Sequence, residues 1–403
     1  IITEKNKTRL PDHPITRLPE HPSTYLCIMP GIYIHVPFCK KACHYCNFHF
    51  STQLQLKSDL VAAICKEAIL RKTFLQEPID TIYFGGGTPS LLSGSELEML
   101  LNTLSEHYTI APNAEITLEA NPDDIDTEKL HHWHQAGINR LSIGIQSFFE
   151  EDLQWMNRAH NAEQAKHCIE LAQTAGFYNL TIDLIYGTPG LTNERWKQNI
   201  ETALTLGIPH LSCYALTVEP NTALDVMVRK GTKEEVDADH QATHFNILTE
   251  SLQDAGFEHY EISNFAKPGF RSKHNSSYWQ GKAYLGLGPA AHSFDGHITR
   301  QWNISNNPLY ISSLQQGIIP FESETLTAVQ RINEYLMTSL RTIEGISLNL
   351  LESKWGEERK QAILKAAQIH IVQRNIELKN QHITLTTQGK FLADGIAADL
   401  FVA

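Results

Sequence analysis

Residues 33–46 read YIHVPFCKKACHYC, a strand-like run that leads directly into three cysteines. Cys39, Cys43 and Cys46 follow the spacing C-x3-C-x2-C, and three thiolates this close together can hold three irons of a [4Fe–4S] cube. The fourth iron then has no protein ligand from the motif, so it can bind a small molecule and pass it one electron. The alternative is a zinc site or ordinary thiols, because a nearby histidine could complete the ligand set of a zinc ion: His35, His44 or His49.

The cysteine spacing, placed directly after a strand, resembles that of the radical S-adenosylmethionine (SAM) superfamily. In that superfamily the open iron chelates the amino and carboxylate groups of SAM, and the cluster cleaves the sulfonium to a 5′-deoxyadenosyl radical. The resemblance therefore implies one [4Fe–4S] cluster held by the three cysteines, with SAM bound beside it.

The composition restricts the classes of protein that need be considered. The 403 residues are 42% hydrophobic and 19% charged, and this length allows one large barrel plus a small domain. The net charge of −12 argues against broad nucleic-acid binding, which needs a basic face. Seven cysteines, three of them clustered, favour a reducing compartment over a disulfide framework. Since no signal-peptide pattern or membrane-length apolar run is present, we expect a cytoplasmic protein.

The first 28 residues differ from the rest of the chain. They contain a near-repeat, TRLPDHP at 8–14 and TRLPEHP at 16–22, in which proline and charge dominate. A packed core cannot be built from such a stretch. The chain begins with Ile1, and Met29 stands two residues before the first strand-like run. We predict that residues 1–28 are a disordered or mis-assigned extension and that Met29 is the natural start.

The remaining sequence alternates between strand-like and helical patterns. Six β-rich runs lie at 31–38, 81–88, 115–122, 140–148, 179–187 and 210–218. Helical patterns lie between them, at 56–75, 95–107, 127–136, 162–175 and 192–206. This alternation predicts an α/β fold made of right-handed βαβ units, a partial (β/α)6 barrel. Chemistry in such barrels takes place at the carboxyl ends of the strands.

Polar residues and glycines occur at those predicted strand ends. They are Gly86, Gly87 and Thr88 after the second strand, Glu119 on the third, Gln146 on the fourth and Asp183 on the fifth. The sixth strand ends at the apolar Ala215. A polar group inside a parallel strand costs free energy unless it is paired or functional. The structural alternatives are a tight turn for the glycines and buried ion pairs for the two carboxylates.

Six stretches spread along the chain resemble the family of oxygen-independent coproporphyrinogen III oxidase (HemN) and its relative, the heme chaperone HemW. They are 33–39 YIHVPFC, 84–90 FGGGTPS, 140–148 RLSIGIQSF, 183–187 DLIYG, 260–266 YEISNFA and 285–289 LGLGP. By position, the resemblance implies contacts to SAM or to the cluster from Tyr33, Gly86, Gly87, Thr88, Glu119, Gln146, Arg158, Asp183 and Ala215.

Two departures and one positive feature favour the chaperone branch of this family. The oxidase carries a further cysteine two residues after the third motif cysteine, where this chain has Phe48. The oxidase also has a folded extension before the barrel, where this chain has the proline-rich repeat. Residues 274–279, HNSSYW, match the H-N-x-x-Y-W signature of the chaperone. The resemblance implies that His274 takes part in binding heme, for which imidazole is a good axial ligand.

The resulting hypothesis is a heme chaperone that binds a [4Fe–4S] cluster, SAM and heme. Its implied partners are heme-receiving hemoproteins, respiratory ones first, with transient membrane contact and a homodimer as further expectations and no nucleic acid. The predicted domains are 29–321, the barrel with a family-specific extension, and 322–403, a small helical domain resembling a winged helix. The alternatives are a coproporphyrinogen III oxidase and a zinc-binding or scaffold protein, so enzymatic activity stays open here.

Overall fold

The computed structural model describes residues 29–402 of the chain. The predicted extension, residues 1–28, lies outside the described residues. Met29 as the natural start stays a prediction. Among the helices of residues 29–402, none is long and apolar enough to cross a bilayer.

Six parallel strands form the centre of a twelve-stranded sheet: β1 Gly31–Val36, β2 Ile79–Gly86, β3 Ile110–Ala120, β4 Arg140–Gln146, β5 Leu180–Tyr186 and β6 His210–Ala215. They lie side by side in chain order, each pairing in parallel with the next. The helices of this part are α1 Lys57–Leu70, α2 Gly94–His107, α3 Thr127–Gln135, α4 Glu150–Trp155, α5 Ala162–Thr174 and α6 Asn193–Thr205. The predicted α/β fold with a parallel barrel-type sheet is confirmed.

Side-chain alternation along the strands separates a packed layer from a cavity. In β4, Leu141, Ile143 and Ile145 are fully buried in the main hydrophobic core. The residues between them, including Ser142 and Gly144, line the cavity described below. Successive side chains of a strand point to opposite faces, so one run of sequence supplies both layers.

Further elements extend both edges of the sheet. The helices are α7 Ala223–Arg229, α8 Ala238–Asp254, α9 Lys273–Trp279 and α10 Asn307–Gln315, and the strands are β7 Glu258–Glu261, β8 Asn264–Ala266, β9 Tyr284–Leu287, β10 His292–Phe294, β11 Thr299–Asn303 and β12 Phe321–Thr325. Strand β8 pairs antiparallel with β6, and β9 pairs in parallel with β1. The six-stranded core is therefore an open barrel whose edges are covered by other strands, which protects them from unwanted pairing.

A smaller unit with its own core follows: α11 Ala328–Leu340, β13 Ile346–Ser347, α12 Leu348–Trp355, α13 Glu357–Val372, β14 Ile376–Lys379, β15 His382–Leu385, α14 Thr387–Lys390 and α15 Ala393–Asp399. Its buried residues form a separate hydrophobic cluster that includes Ile332, Leu351 and Ile363. Only Leu326 and Thr327 join β12 to α11. The predicted boundary at 321/322 falls within β12, and the division into domains stays a prediction.

The predicted element bounds differ from the observed ones mainly at the strand ends. The predicted second helix, 95–107, is observed as Gly94–His107, because Ser93 and Glu96 form a capping box that fixes its start. The predicted fourth strand runs to 148, whereas β4 stops at Gln146. Gln146 has a φ of 65°, and this left-handed conformation ends the extended strand.

Candidate functional site

A cavity of about 1020 Å³ lies between the carboxyl ends of the barrel strands and the C-terminal unit. Most of the predicted site residues line it: Cys39, Cys43, Cys46, Gly86, Gly87, Thr88, Glu119, Gln146, Arg158, Asp183 and Ala215. Residues from six strand ends, far apart in sequence, therefore meet in one place. Tyr33 and His274 are not among the lining residues and lie elsewhere.

The cysteine loop is held onto the barrel rim by hydrogen bonds. The Cys39 amide donates to the Ser51 carbonyl at 3.0 Å, which closes the loop at its base. Lys40 donates to Asp123 at 2.9 Å, which ties the loop to the turn after β3. All three cysteines are half-buried and free of disulfides. The thiols are thus positioned by backbone and ionic contacts that do not involve a metal.

The surroundings of the sulfur atoms fit an iron–sulfur cluster. The Thr88 hydroxyl donates to Cys39 Sγ at 3.4 Å, and Arg158 donates to Cys43 Sγ at 3.3 Å. Donors to sulfur and a nearby cation favour thiolates, which are the forms that bind metal. Burial raises the pKa of Cys39 to about 11, with the Thr88 hydrogen bond acting in the opposite direction. Binding of a metal cluster here would therefore release protons from these thiols.

The histidines that could complete a zinc site are engaged in other contacts. The two ring nitrogens of His35 are hydrogen-bonded to the Tyr33 hydroxyl at 3.1 Å and the His49 carbonyl at 3.0 Å. His44 is bonded to a backbone carbonyl and His49 to Asn307, and none of the three histidines lines the cavity. Within residues 29–402, no three His, Cys, Asp or Glu side chains converge closely enough to hold one metal ion. The donor set at the cavity is three thiols, which fits a cube with one open iron.

Two carboxylates, on β3 and β5 at either side of β4, face the cavity with raised pKa values. Burial and, to a smaller extent, the nearby charge of Asp183 raise the pKa of Glu119 to about 7. The Tyr83 hydroxyl donates to Glu119 Oε1 at 2.8 Å, and the Gly86 amide donates to Oε2 at 3.2 Å. Burial also raises the pKa of Asp183 to about 6, with Arg140 opposing it. A cationic ligand would stabilise the ionised forms of both.

Arg158 joins the cysteine loop to the barrel strands. One terminal nitrogen donates to Asn121 Oδ1 and to the Gly144 carbonyl, both at 2.7 Å. The other donates to Cys43 and, at 3.4 Å, to the Tyr45 hydroxyl. Its Nε is buried and has no hydrogen-bond partner in the described chain. This guanidinium can meet a carboxylate of a ligand while it holds the loop.

Glycines keep the rim free of side chains. Gly86 has a φ of +108°, and a Cβ there would lie 2.6 Å from the His35 ring. A Cβ on Gly87 would lie 2.7 Å from the carbonyl oxygen of Phe38. Any other residue at either position would displace the end of β1, from which the cysteine loop departs. The glycines thus satisfy the structural requirement for a tight turn and also leave backbone groups facing the cavity.

Tyr33 and His274 lie in the barrel interior and do not line the cavity. The Tyr33 ring stacks on Tyr83 and His274, with ring centroids 6.1 and 6.3 Å apart. His274 is 1% exposed, and its ring nitrogens are bonded to the Thr81 hydroxyl at 2.7 Å and the Tyr278 hydroxyl at 2.9 Å. Thr81 pairs with the first residue of β1, so His274 closes the amino-terminal end of the barrel, opposite the cysteines. Burial lowers the pKa of His274 to about 3.

The C-terminal wall of the cavity is not among the site residues predicted from the sequence. Arg341, Lys390 and Phe391 line it, along with residues of α13 and α15. Nothing in their local sequence distinguishes them from other surface-helix residues, because they reach the cavity only through the packing of the C-terminal unit on the barrel. Asn121, by contrast, follows a strand with other rim residues and could have been included from its position.

Comparison with known proteins gives a consistent result. The family model described as the radical SAM superfamily matches residues 33–218. The heme chaperone HemW of Mycobacterium tuberculosis is 35% identical, over 92% of this chain and 94% of its own length. The heme chaperone HemW of Bacillus subtilis is 33% identical, over 91% and 98%. The structure of Escherichia coli coproporphyrinogen III oxidase (HemN) has the same fold, with a TM-score of 0.80 at 23% identity, over 93% of this chain and 90% of that one.

Proposed function

Because the chain belongs to the HemW family of heme chaperones within the radical SAM superfamily, we propose that it binds a [4Fe–4S] cluster, SAM and heme and delivers heme to hemoproteins. Membership of the superfamily implies the cluster and SAM. The observation that carries the proposal is the shared cavity, in which three thiols, with no fourth protein ligand among residues 29–402, face polar strand ends.

The residues around the cavity have separate tasks under this proposal. Cys39, Cys43 and Cys46 would hold the cluster, which when bound supplies one electron to SAM. Arg158 and the unprotected backbone at Gly86 and Gly87 would bind the polar groups of methionine. Glu119 and Asp183 would face the ammonium and ribose, because ionised carboxylates accept hydrogen bonds from both. Gln146, Thr88 and Ala215 would complete the wall.

The alternative function is that of a coproporphyrinogen III oxidase, which has the same fold. The residue at position 48 argues against it. Phe48 replaces the further cysteine of the oxidase, is 66% exposed and lines the cavity. A phenyl ring there can neither ligate metal nor transfer hydrogen as a thiol does. The similarity to HemN is 23% in sequence and supports the fold alone.

The role of His274 as a heme ligand stays a prediction that requires another conformation. Its two ring nitrogens are bonded inside the barrel, so α9 would have to leave the amino-terminal end of the barrel before either could reach iron. Hemoprotein clients, membrane contact and a homodimer likewise remain predictions.

The test is a hemin titration of the anaerobically reconstituted protein, followed at the Soret band, with transfer to an apo-hemoprotein as the second readout. We expect saturable binding and transfer, and no consumption of coproporphyrinogen III with SAM and reductant. Consumption of coproporphyrinogen III would replace the proposal by the oxidase. A purified protein that contains zinc in place of iron and lacks iron–sulfur absorbance would favour the scaffold alternative.

A further inference from the structure

One buried carboxylate holds the first turn of α9 against the barrel. The backbone amides of Lys273 and His274 donate to the two carboxylate oxygens of Glu115, each at 3.1 Å. Glu115 lies on β3 and is 5% exposed. Amides in the first turn of a helix have no acceptor within the helix, and hydrogen bonds to an ionised acceptor are stronger than bonds between neutral groups. Glu115 therefore fixes the start of α9 at the amino-terminal end of the sheet.

The His274 side chain supplies a second attachment of α9. One ring nitrogen meets the hydroxyl of Thr81, a buried residue of β2, and the other meets the Tyr278 hydroxyl within α9 itself. While these bonds persist, neither nitrogen can reach an iron atom. The closed position of α9, defined by its contacts to Glu115 and Thr81, thus blocks the imidazole that this helix carries.

Glycines lie on both sides of α9 at positions suited to a hinge. Gly269 precedes the helix with a φ of +87°, and Gly281 follows it with a φ of +63°. Both are exposed, and a Cβ at either position would have nothing within 4 Å. Neither glycine is therefore required by a close approach of another group. Exposed positions at the ends of an element, with freedom in φ and ψ, can absorb the rotation that moves the element as a unit.

The last turn of α9 is held less well than the first. The guanidinium of Arg341 lies over the Trp279 ring, 5.5 Å from its centroid. The indole nitrogen of Trp279 is buried and has no hydrogen-bond partner within residues 29–402. A buried N–H without an acceptor costs free energy that exposure to water would recover. This group therefore opposes the closed position that Glu115 and Thr81 stabilise.

We propose that Glu115 and Thr81 form a latch that holds α9 closed and keeps heme from His274 until the latch opens. This inference rests on the proposed function, in which His274 takes part in binding heme. Only open molecules offer the imidazole, so the apparent heme affinity is reduced by the fraction of molecules that are open. Weakening the latch should therefore strengthen heme binding, whereas damage to a heme site would weaken it.

The test uses three variants of the full-length, anaerobically reconstituted protein. Thr81→Val keeps the shape of the side chain and removes the hydroxyl that meets His274, and Glu115→Gln weakens the other attachment. Thr117→Val is the matched control, because Thr117 is a fully buried residue of β3 whose hydroxyl has no hydrogen-bond partner in the described chain. Urea midpoints establish that each variant folds. The two readouts are hydrogen exchange of the α9 amides without heme and hemin titration at the Soret band.

Both readouts should change in the same direction in the two latch variants. We expect the Lys273 and His274 amides to exchange about tenfold faster in Thr81→Val and in Glu115→Gln, and hemin to bind about tenfold more tightly. Thr117→Val should change neither. Hemin added to the wild type should speed exchange of the same amides, because binding requires the open position. In His274→Ala, adding Thr81→Val should give no gain in hemin affinity.

Several outcomes would overturn the inference and leave the proposed function intact. One is that folded Thr81→Val and Glu115→Gln bind hemin no more tightly than the wild type, and another is an equal gain in Thr117→Val. Unchanged exchange of the α9 amides when hemin binds the wild type would also overturn it, and this measurement needs no variant. Absence of saturable hemin binding to the wild type and to both latch variants would instead reject the proposed function, so the two failures are distinguishable.

Discussion

Replacing Glu119 by glutamine should reduce the pH dependence of folding stability. Burial holds the Glu119 pKa at about 7 against an ordinary value of 4.5, so the folded state binds more protons than the unfolded state between those pH values. The free energy of unfolding therefore falls as pH rises from about 4.5 to 7. Full conversion of the shift gives about 3 kcal/mol, which partial exposure and water screening reduce to about 1–2 kcal/mol.

The assay is urea unfolding of the metal-free protein at pH 5 and pH 8, followed by tryptophan fluorescence. The measured quantity is the difference between the unfolding free energies at the two pH values. A hydrogen bond that the glutamine amide fails to make costs the same at both pH values and therefore cancels from this difference. We expect this difference to be smaller in Glu119→Gln by about 1–2 kcal/mol. An exposed glutamate of α2, Glu98, supplies the control variant Glu98→Gln. An unchanged pH difference in Glu119→Gln would refute the burial argument.

Three further outcomes are expected. Gly87→Ala places a Cβ 2.7 Å from the Phe38 carbonyl and should lower the urea midpoint and the iron bound per chain, both measured on the same preparation; a wild-type midpoint would contradict the close approach. Arg158→Gln removes a cation and its bond to a cysteine, so SAM affinity measured by calorimetry should fall about tenfold while the urea midpoint changes less than in Gly87→Ala. Tyr310→Phe removes a hydrogen bond to the fully buried Glu67 and should cost about 1–3 kcal/mol in unfolding free energy without altering iron content.

The barrel and most of its rim were predictable because the relevant signals are local. Buried parallel strands are apolar runs, and a polar residue inside one, such as Asp183, stands out against its neighbours. The order of six strands then follows from the preference for right-handed crossovers, which places all six carboxyl ends on one rim. The cysteine motif is also local, because its three residues lie within one loop after β1, so it marks the candidate site without any tertiary contact.

The positions of His274 and Lys390 could not be predicted, because both depend on how distant segments pack. The signature at 274–279 specifies residue types, but only the fold shows that α9 closes the amino-terminal end of the barrel. Lys390 is the last residue of the short helix α14, in a small unit whose core is separate from that of the barrel. Its place at the cavity follows from docking of that unit, which no periodicity in the sequence records.

The two-residue connection between β12 and α11 has a thermodynamic consequence. Two residues span at most about 7 Å when extended, so the C-terminal unit can tilt but cannot separate widely from the barrel. Ligands that contact the two sides of the cavity then bias the same tilt. Their binding free energies are coupled, and the coupling is reciprocal: any factor by which a ligand on one side alters the affinity for a ligand on the other side also applies in the reverse direction. Occupancy of one side would thus regulate release from the other.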